Sequence, residues 1–251
     1  MKGPRTTKLW TDGELRSAVD AYVFLLRAQQ AGIRQRGEIG TYALLESALR
    51  SRNEASIRYR MRNISAVVRE LGAPVLATYS PAEQVGANVR PRIRDLLLAH
   101  PDFMALTSGD AYALYGDGIA TSREHALAKL AELREALDKI EHQVARVGHN
   151  NPPEAIDAMT DLPDFGQARN DLDALIAEMR ASRPNVTSTE KRLSGLLAFG
   201  VKAGAWAGER ATNFVDVSLA ILAPALVLQV TGLMPVLLDA LSAVARAIVP
   251  H

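Results

Sequence analysis

No cysteine occurs among the 251 residues of the chain. Disulfides, zinc sites with thiolate ligands and cysteine nucleophiles are therefore excluded, and the composition fits a reducing compartment. Histidine is also scarce, and none of the five is spaced with other histidines or carboxylates as a metal or catalytic site requires. The sequence thus predicts a protein that is not an enzyme, with no catalytic residues, no metal site and no cofactor.

An excess of charge of one sign is likewise lacking, because 29 basic residues nearly balance 28 acidic ones. No overall electrostatic field therefore draws the protein to nucleic acid. The distribution is nevertheless uneven. Residues 1–72 contain 13 Lys and Arg against 7 Asp and Glu, whereas residues 121–187 contain 8 against 12. A basic N-terminal part and an acidic middle are combined in a neutral chain.

The N-terminus also lacks the apolar run of a secretory signal, so we expect a cytoplasmic protein. The first hundred residues show helical spacing of apolar residues, interrupted by turns. Thr11 or Asp12 can cap the first helix, and Gly32 ends it. A short helix around 42–49, a third at 53–72 and a fourth at 90–99 follow. The segment 73–88 is expected to be a loop.

The spacing of apolar residues changes after residue 121. Leucines and other apolar residues recur every three or four positions, which predicts a long amphipathic helix of coiled-coil type. They are Leu127, Leu130, Leu133, Leu137, Ile140 and Val144. We therefore predict a mainly α protein in three parts: a helical N-terminal domain (1–120), an amphipathic middle (121–187) and a hydrophobic C-terminal segment (188–251).

The stretch "SRNEASIRYRMRNISAVVREL" (51–71), which includes the third helix, contains five arginines alongside regularly spaced apolar residues. At 100° per residue, Ile57, Met61, Ile64 and Val68 form one apolar stripe. Arginines at 58, 62 and 69 form a second stripe about 100° away from the first. Such a helix can dock by one face and present guanidinium groups to phosphates or guanine edges. The predicted DNA-binding residues are Arg50, Arg52, Arg58, Arg62, Ser65 and Arg69.

A solvated helix face is the simpler explanation of an arginine stripe, since Glu46, Glu54 and Glu70 are close enough in sequence to pair with it. A resemblance to a known family nevertheless favours DNA binding. The motif "WTDGEL", followed by two helices and then "RNEASIRYRMRNI", resembles the three-helix Myb/SANT-like pattern at Trp10, Ile57 and neighbouring positions. The matching polar positions are Arg52, Arg60 or Arg62, and Asn63.

Residues 8–100 also resemble the N-terminal module that precedes HNH-type nuclease domains in bacterial restriction-like proteins. The resemblance implies a DNA-associated or phage-defence setting. The expected nuclease half is missing, because no His-Asn-His arrangement follows position 102. The resemblance therefore implies a DNA-binding helix-turn-helix-like module, and it implies no activity.

The second strong signal is an uncharged run of 22 residues, 217–238. About 20 apolar residues suffice to cross a bilayer. Pro224, Gln229, Gly232 and Pro235 can instead split the run into two helices that pack in a soluble bundle or a homo-oligomer. Both alternatives stay open, because prolines and glycines are tolerated in membrane helices. The membrane-facing candidates are Val217, Leu222, Leu228, Leu233 and Leu238.

The leading hypothesis is a non-enzymatic protein that binds double-stranded DNA, as part of a bacterial mobile-element or defence system. Its C-terminal segment associates with a membrane or drives oligomerisation. Positive charge ahead of the run would keep the N-terminal domain in the cytoplasm. The alternative hypothesis is a membrane-active effector in which the N-terminal module is a protein-docking or regulatory face.

Overall fold

A computed structural model describes residues 9–107, 123–147, 162–213 and 223–248. These residues form nine helices and no strand, which confirms the prediction of a mainly α fold. In chain order the helices are α1 (Asp12–Gln30), α2 (Ile39–Leu45), α3 (Glu54–Glu70), α4 (Arg90–Ala99), α5 (Pro101–Thr107), α6 (Arg123–Val147), α7 (Phe165–Arg180), α8 (Val186–Asn213) and α9 (Ala223–Ile248).

Local side-chain chemistry sets the ends of α1 and α3. The hydroxyl of Thr11 accepts a hydrogen bond from the backbone N–H of Glu14, and the Glu14 carboxylate accepts one from the backbone of Thr11. This reciprocal pair satisfies two N–H groups that the helix leaves unbonded. Asn53 caps α3 through the N–H of Ser56, at 2.8 Å. At the other end of α3, Gly72 has φ +76°, which an L-residue with a side chain rarely adopts.

Helix α3 is the central element of the N-terminal part. It packs against α1, α2 and α4. The predicted apolar stripe is confirmed, because none of its four side chains is exposed. Leu15, Tyr22 and Leu26 of α1 are also fully buried in this core. Burial of this stripe fixes the rotation of α3 and thereby decides where its arginines lie.

Helices α6 to α9 build a second apolar core, to which the end of α1 contributes. The predicted seam of α6 is confirmed, with Leu130, Leu133, Leu137 and Ile140 all buried. These side chains face α9 and α7 of the same chain. The amphipathic helix therefore serves as one wall of an intramolecular bundle.

Helix α8 joins the two cores. Val201 and Ala205 pack in the N-terminal core, whereas Phe199, Ala203 and Trp206 pack in the C-terminal one. Alternating faces of one long helix thus serve both clusters. The boundaries predicted at 120 and 187 are not tested by this arrangement and stay a prediction.

Helix α9 is continuous from Ala223 to Ile248, with Pro235 inside it. A split of the apolar run at Gln229, Gly232 or Pro235 is therefore wrong, whereas residues 217–222 lie outside the described residues. One stretch of the described residues, Val227–Ile248, is long and apolar enough by length and composition to cross a membrane. In the folded chain, however, 56% of its most apolar 18-residue stretch is buried.

Candidate nucleic-acid interface and a charged cleft

The arginines predicted to contact DNA divide into those used within the fold and those left at the surface. Arg52 belongs to the first group. Its Nε and Nη2 donate to the two carboxylate oxygens of Glu14, at 2.8 and 2.7 Å. Only 8% of the Arg52 side chain is exposed. Such a two-pronged pair fixes the guanidinium plane, so Arg52 ties the start of α3 to the start of α1.

The electrostatics of Glu14 reflect that pair. Burial by itself raises the pKa of the Glu14 carboxyl, but the hydrogen bond and positive charge of Arg52, with hydrogen bonds from Thr11, lower it to about 2 overall. The ionised carboxylate is thus strongly favoured in the folded state. The Arg52–Glu14 pair is part of the stability of the fold rather than a reserve of charge for a ligand.

Trp10 lies between two arginines. The guanidinium carbon of Arg60 is 4.7 Å from the centroid of the Trp10 ring, and that of Arg52 is 5.1 Å away. Both distances fit cation–π contacts. Arg60 is 8% exposed, and burial lowers its pKa below the ordinary value for arginine. This cluster accounts structurally for the tryptophan and for two of the arginines on which the family resemblance depends.

Arg58 is neutralised by carboxylates from two directions. Its Nε donates to Glu38 at 2.5 Å, and its Nη2 forms a second ion pair with Glu54, one turn earlier on α3. The first of these partners was not anticipated, because Glu38 is 20 positions away in sequence. With two carboxylates in contact, Arg58 adds little positive potential to the surface.

The prediction that Ser65 contacts DNA is wrong for this fold, because Ser65 is completely buried. Its hydroxyl donates to the carbonyl of Tyr79 at 2.6 Å and lies 2.9 Å from the hydroxyl of Tyr22. The Tyr22 hydroxyl in turn accepts from the N–H of Leu76. Ser65 therefore anchors the segment after α3 to the core.

That segment, 73–88, covers part of the arginine face. The N–H of Ala82 donates to the carbonyl of Arg62 at 3.0 Å, and the hydroxyl of Tyr59 reaches the carbonyl of Gln84 at 3.3 Å. A helix with its side chains is about 10–12 Å wide and the major groove is about 12 Å wide. Because a second segment lies on α3, the helix cannot enter the groove along its whole length.

Arg62 and Arg69 remain at the surface of α3. Both are exposed, and no carboxylate of the described residues lies within ion-pairing distance of either. Nε of Arg62 donates to the carbonyl of Ser80 at 3.1 Å, which orients the side chain without neutralising it. Arg50, just before α3, donates to the carbonyl of Ser47 at 3.3 Å. Of the predicted set, Arg62 and Arg69 are the cations best placed to meet a polyanion.

The candidate membrane residues are also divided. Leu233 and Leu238 are each 1% exposed and belong to the bundle core, whereas Leu228 is 72% exposed. Val217 and Leu222 lie outside the described residues. Around Leu228 the exposed positions of α9 include Thr231, Gly232 and Pro235, none of them charged. The first half of α9 thus shows an uncharged outer face.

A cleft of about 430 Å³ lies between α1, the α4–α5 junction, α8 and α9. Sequence reasoning missed it, because its charged residues come from positions some 80 apart. Asp20 Oδ1 lies 3.7 Å from Nε2 of His100, and Arg27 pairs with Asp102 at 2.6 Å. No local sequence motif indicates this cluster, because the packing of α1 on α4 and α5 brings its residues together.

Burial shifts the pKa values of Asp20 and His100, which face each other in the cleft, in opposite directions. Burial raises the pKa of Asp20 to about 6, against the opposing effect of the positive charge of Arg16. Burial lowers the pKa of His100, an effect that the negative charge of Asp102 partly offsets. Nδ1 of His100 is buried and has no hydrogen-bond partner among the described residues. At neutral pH the cleft therefore holds an ionised Asp20 beside a neutral His100.

Within the part of the chain that the structure describes, no three His, Asp or Glu side chains converge as metal ligands would. Comparison of the chain with protein-family models, with curated proteins and with solved structures finds no match.

Proposed function

We propose that this protein associates with double-stranded DNA through phosphate contacts made by Arg62 and Arg69. The observation that carries the proposal is the exposure of these two guanidinium groups on one flank of a buried helix, without a carboxylate partner in the described residues. They are seven residues apart, which is about two turns and about 10 Å along the helix axis. Two cations on one flank at this separation suit contacts with a phosphate backbone.

The proposal is restricted to phosphates for a geometric reason. Base edges are read from within a groove, and the contacts of Ala82 and Gln84 with α3 obstruct deep insertion. Phosphates lie on the outside of the duplex and need only a cation at the protein surface. We therefore infer association with little sequence preference, and the protein would act without catalysing a reaction.

Fluorescence anisotropy with a labelled duplex tests the proposal. Each phosphate contact with duplex DNA contributes about 0.9 to the slope of log affinity against log salt. The double variant Arg62→Ala/Arg69→Ala should therefore bind more weakly and lose about 1.8 from the slope. Both residues are exposed, and such surface substitutions change stability by only about 0.5 kcal/mol. A loss of binding would thus not reflect unfolding.

Arg180→Ala/Arg183→Ala is the matched control, because it removes the same two charges from exposed positions near the end of α7. It should leave the affinity and the slope nearly unchanged. If both double variants lost affinity equally, attraction would depend on total charge and the proposed interface would be refuted. Absence of binding by the unaltered protein at low salt would refute the function itself.

A second candidate function is membrane association through the first half of α9. The uncharged outer face around Leu228 is the observation that favours it. Deleting α9 is not a useful test, because Leu233, Leu237 and Leu241 of this helix belong to the bundle core. A surface substitution in the full chain is needed instead.

Flotation with vesicles of phosphatidylcholine and phosphatidylglycerol provides that test. Leu228→Asp replaces an exposed apolar side chain by a charge that costs about 3–4 kcal/mol more within a bilayer. The Leu228→Asp variant should stay in the soluble fraction under conditions in which the unaltered protein floats with the vesicles. Val186→Asp, at an exposed position of α8, is the control and should still float. Failure of the unaltered protein to float would exclude this candidate.

A further inference from the structure

The cleft between α1, α8 and α9 contains two charges of opposite sign, Asp20 and Arg16, that make no hydrogen bond with the described residues. The carboxylate of Asp20 accepts no hydrogen bond from them, and its ionic neighbour within 4 Å is the largely neutral His100. The guanidinium of Arg16, one turn earlier, forms no ion pair or hydrogen bond with them. Residues four apart share a helix face, and both side chains border the cleft.

In the other charged pair of the cleft, each charge already has a partner of opposite sign. Arg27 and Asp102 neutralise each other at 2.6 Å, and the Arg27 side chain is only 11% exposed. The cleft residues contributed by α8 and α9 carry no charge. The electrostatic character of the site is therefore set by Asp20 and Arg16, one negative and one positive.

The remaining walls are apolar. Phe24 of α1 and Met234 and Pro235 of α9 line one part of the cleft. Gly204 of α8 leaves space there, because the nearest neighbour of a Cβ built on it is the sulfur of Met234 at 4.0 Å. A cleft of about 430 Å³ is within the range of roughly 300–1,000 Å³ that small-molecule sites occupy.

We propose that this cleft binds a small zwitterion with an apolar body, of the chemical class of the apolar α-amino acids. The ammonium group donates to Asp20, the carboxylate pairs with Arg16, and the apolar side chain packs on Phe24, Met234 and Pro235. His100 supplies a neutral imidazole beside the ammonium site. This site is independent of the proposed DNA contacts, which lie on α3.

The protonation states predict how binding depends on pH. The groups that face Asp20 are Arg16 and Arg27 on α1 and His100 and Asp102 at the α4–α5 junction, whereas the cleft residues of α8 and α9 do not titrate. Asp20 becomes protonated as the pH falls through about 6, and acid that protonates His100, whose pKa burial lowers, adds a positive charge. Both changes disfavour an ammonium group, so affinity should fall as the pH is lowered through about 6.

Calorimetric titration of the full chain with L-phenylalanine and two analogues tests the proposal. Phenethylamine lacks the carboxylate, and hydrocinnamate lacks the ammonium group. Each should bind at least about tenfold more weakly than L-phenylalanine, because each leaves one charged hydrogen bond unmade. If either analogue bound as tightly as the amino acid, or if none of the three bound at millimolar concentration, the proposal would be overturned.

Substitutions test the roles proposed for the charges of Asp20 and Arg16. Asp20→Asn and Arg16→Gln should each weaken binding of L-phenylalanine at least about tenfold. The matched controls Asp95→Asn and Arg94→Gln remove the same charges from exposed positions on α4 and should bind normally. Gly204→Leu should block the cleft without altering a charge. Normal binding by the Asp20, Arg16 or Gly204 variants, with folding verified by circular dichroism, would refute the site.

Discussion

Two glycines one turn apart on α8 offer a test of how this helix joins the two cores. A Cβ placed on Gly200 would clash with the ring of Phe24 from α1 and would lie 2.8 Å from Cδ2 of Leu237 from α9. At Gly204 the nearest atom to the same Cβ is 4.0 Å away. Gly200→Ala and Gly204→Ala are thus the same chemical change in one helix, with and without room for the added methyl group.

The magnitudes follow from two terms. Replacing glycine by alanine within a helix stabilises a protein by about 0.5–1 kcal/mol. This gain is common to both variants. Crowding in a packed core costs about 1–3 kcal/mol, and it applies only at Gly200, where the completely buried Leu237 must move. We expect Gly204→Ala to be more stable than the parent, and Gly200→Ala to be less stable than Gly204→Ala by about 1–3 kcal/mol.

Chemical and thermal unfolding followed by circular dichroism measure the difference as a free energy of unfolding and as a melting temperature. In a chain of this size, 1 kcal/mol corresponds to about 2–4 °C in melting temperature. The two variants should therefore differ by at least about 2 °C. Equal stability of the two variants would show that α8 does not approach Phe24 and Leu237 closely, and the described junction of the two cores would be incorrect.

Two further changes test the contacts around α3. Glu14→Gln should lower the free energy of unfolding by about 3 kcal/mol at neutral pH. Because the pKa of Glu14 is depressed in the folded state, this deficit should shrink as the pH falls from 4.5 towards about 2, which unfolding measured over that pH range would show. Ser65→Ala should cost about 1–3 kcal/mol in denaturant unfolding, because the buried Tyr79 carbonyl loses its donor. Ser194→Ala should cost less, because among the described residues the Ser194 hydroxyl bonds only to the carbonyl of Glu190 in its own helix. A pH-independent Glu14 deficit or equal losses for the two serine variants would contradict the assigned contacts.

Several elements of the fold were predictable because their causes are local. Thr11 caps α1, and α4 spans Arg90–Ala99, as their sequences predict. The apolar stripe of α3 and the seam of α6 follow from helical periodicity, which is a property of neighbouring residues. The continuity of α9 was not predictable, because Pro235 breaks a helix only where packing fails to compensate for it.

The candidate interface likewise has features that depend on local sequence and features that depend on long-range packing. The sequence by itself determined that arginines occupy one flank of α3, since that depends only on the spacing of residues 100° apart. Which of those arginines remain available was decided by tertiary structure. Arg52 and Arg58 meet Glu14 and Glu38, which are 38 and 20 positions away, and no local pattern encodes such encounters.

The same reasoning applies to the cleft. Composition and spacing established a cysteine-free, mainly helical chain, but they did not bring Asp20 and His100 together. Eighty residues separate the two, and their approach depends on how α1 packs against the α4–α5 junction. Burial there then raises the pKa of Asp20 and lowers that of His100. Charge spacing along a helix is local, whereas charge environment depends on long-range packing, and this is why only the folded chain defined the cleft.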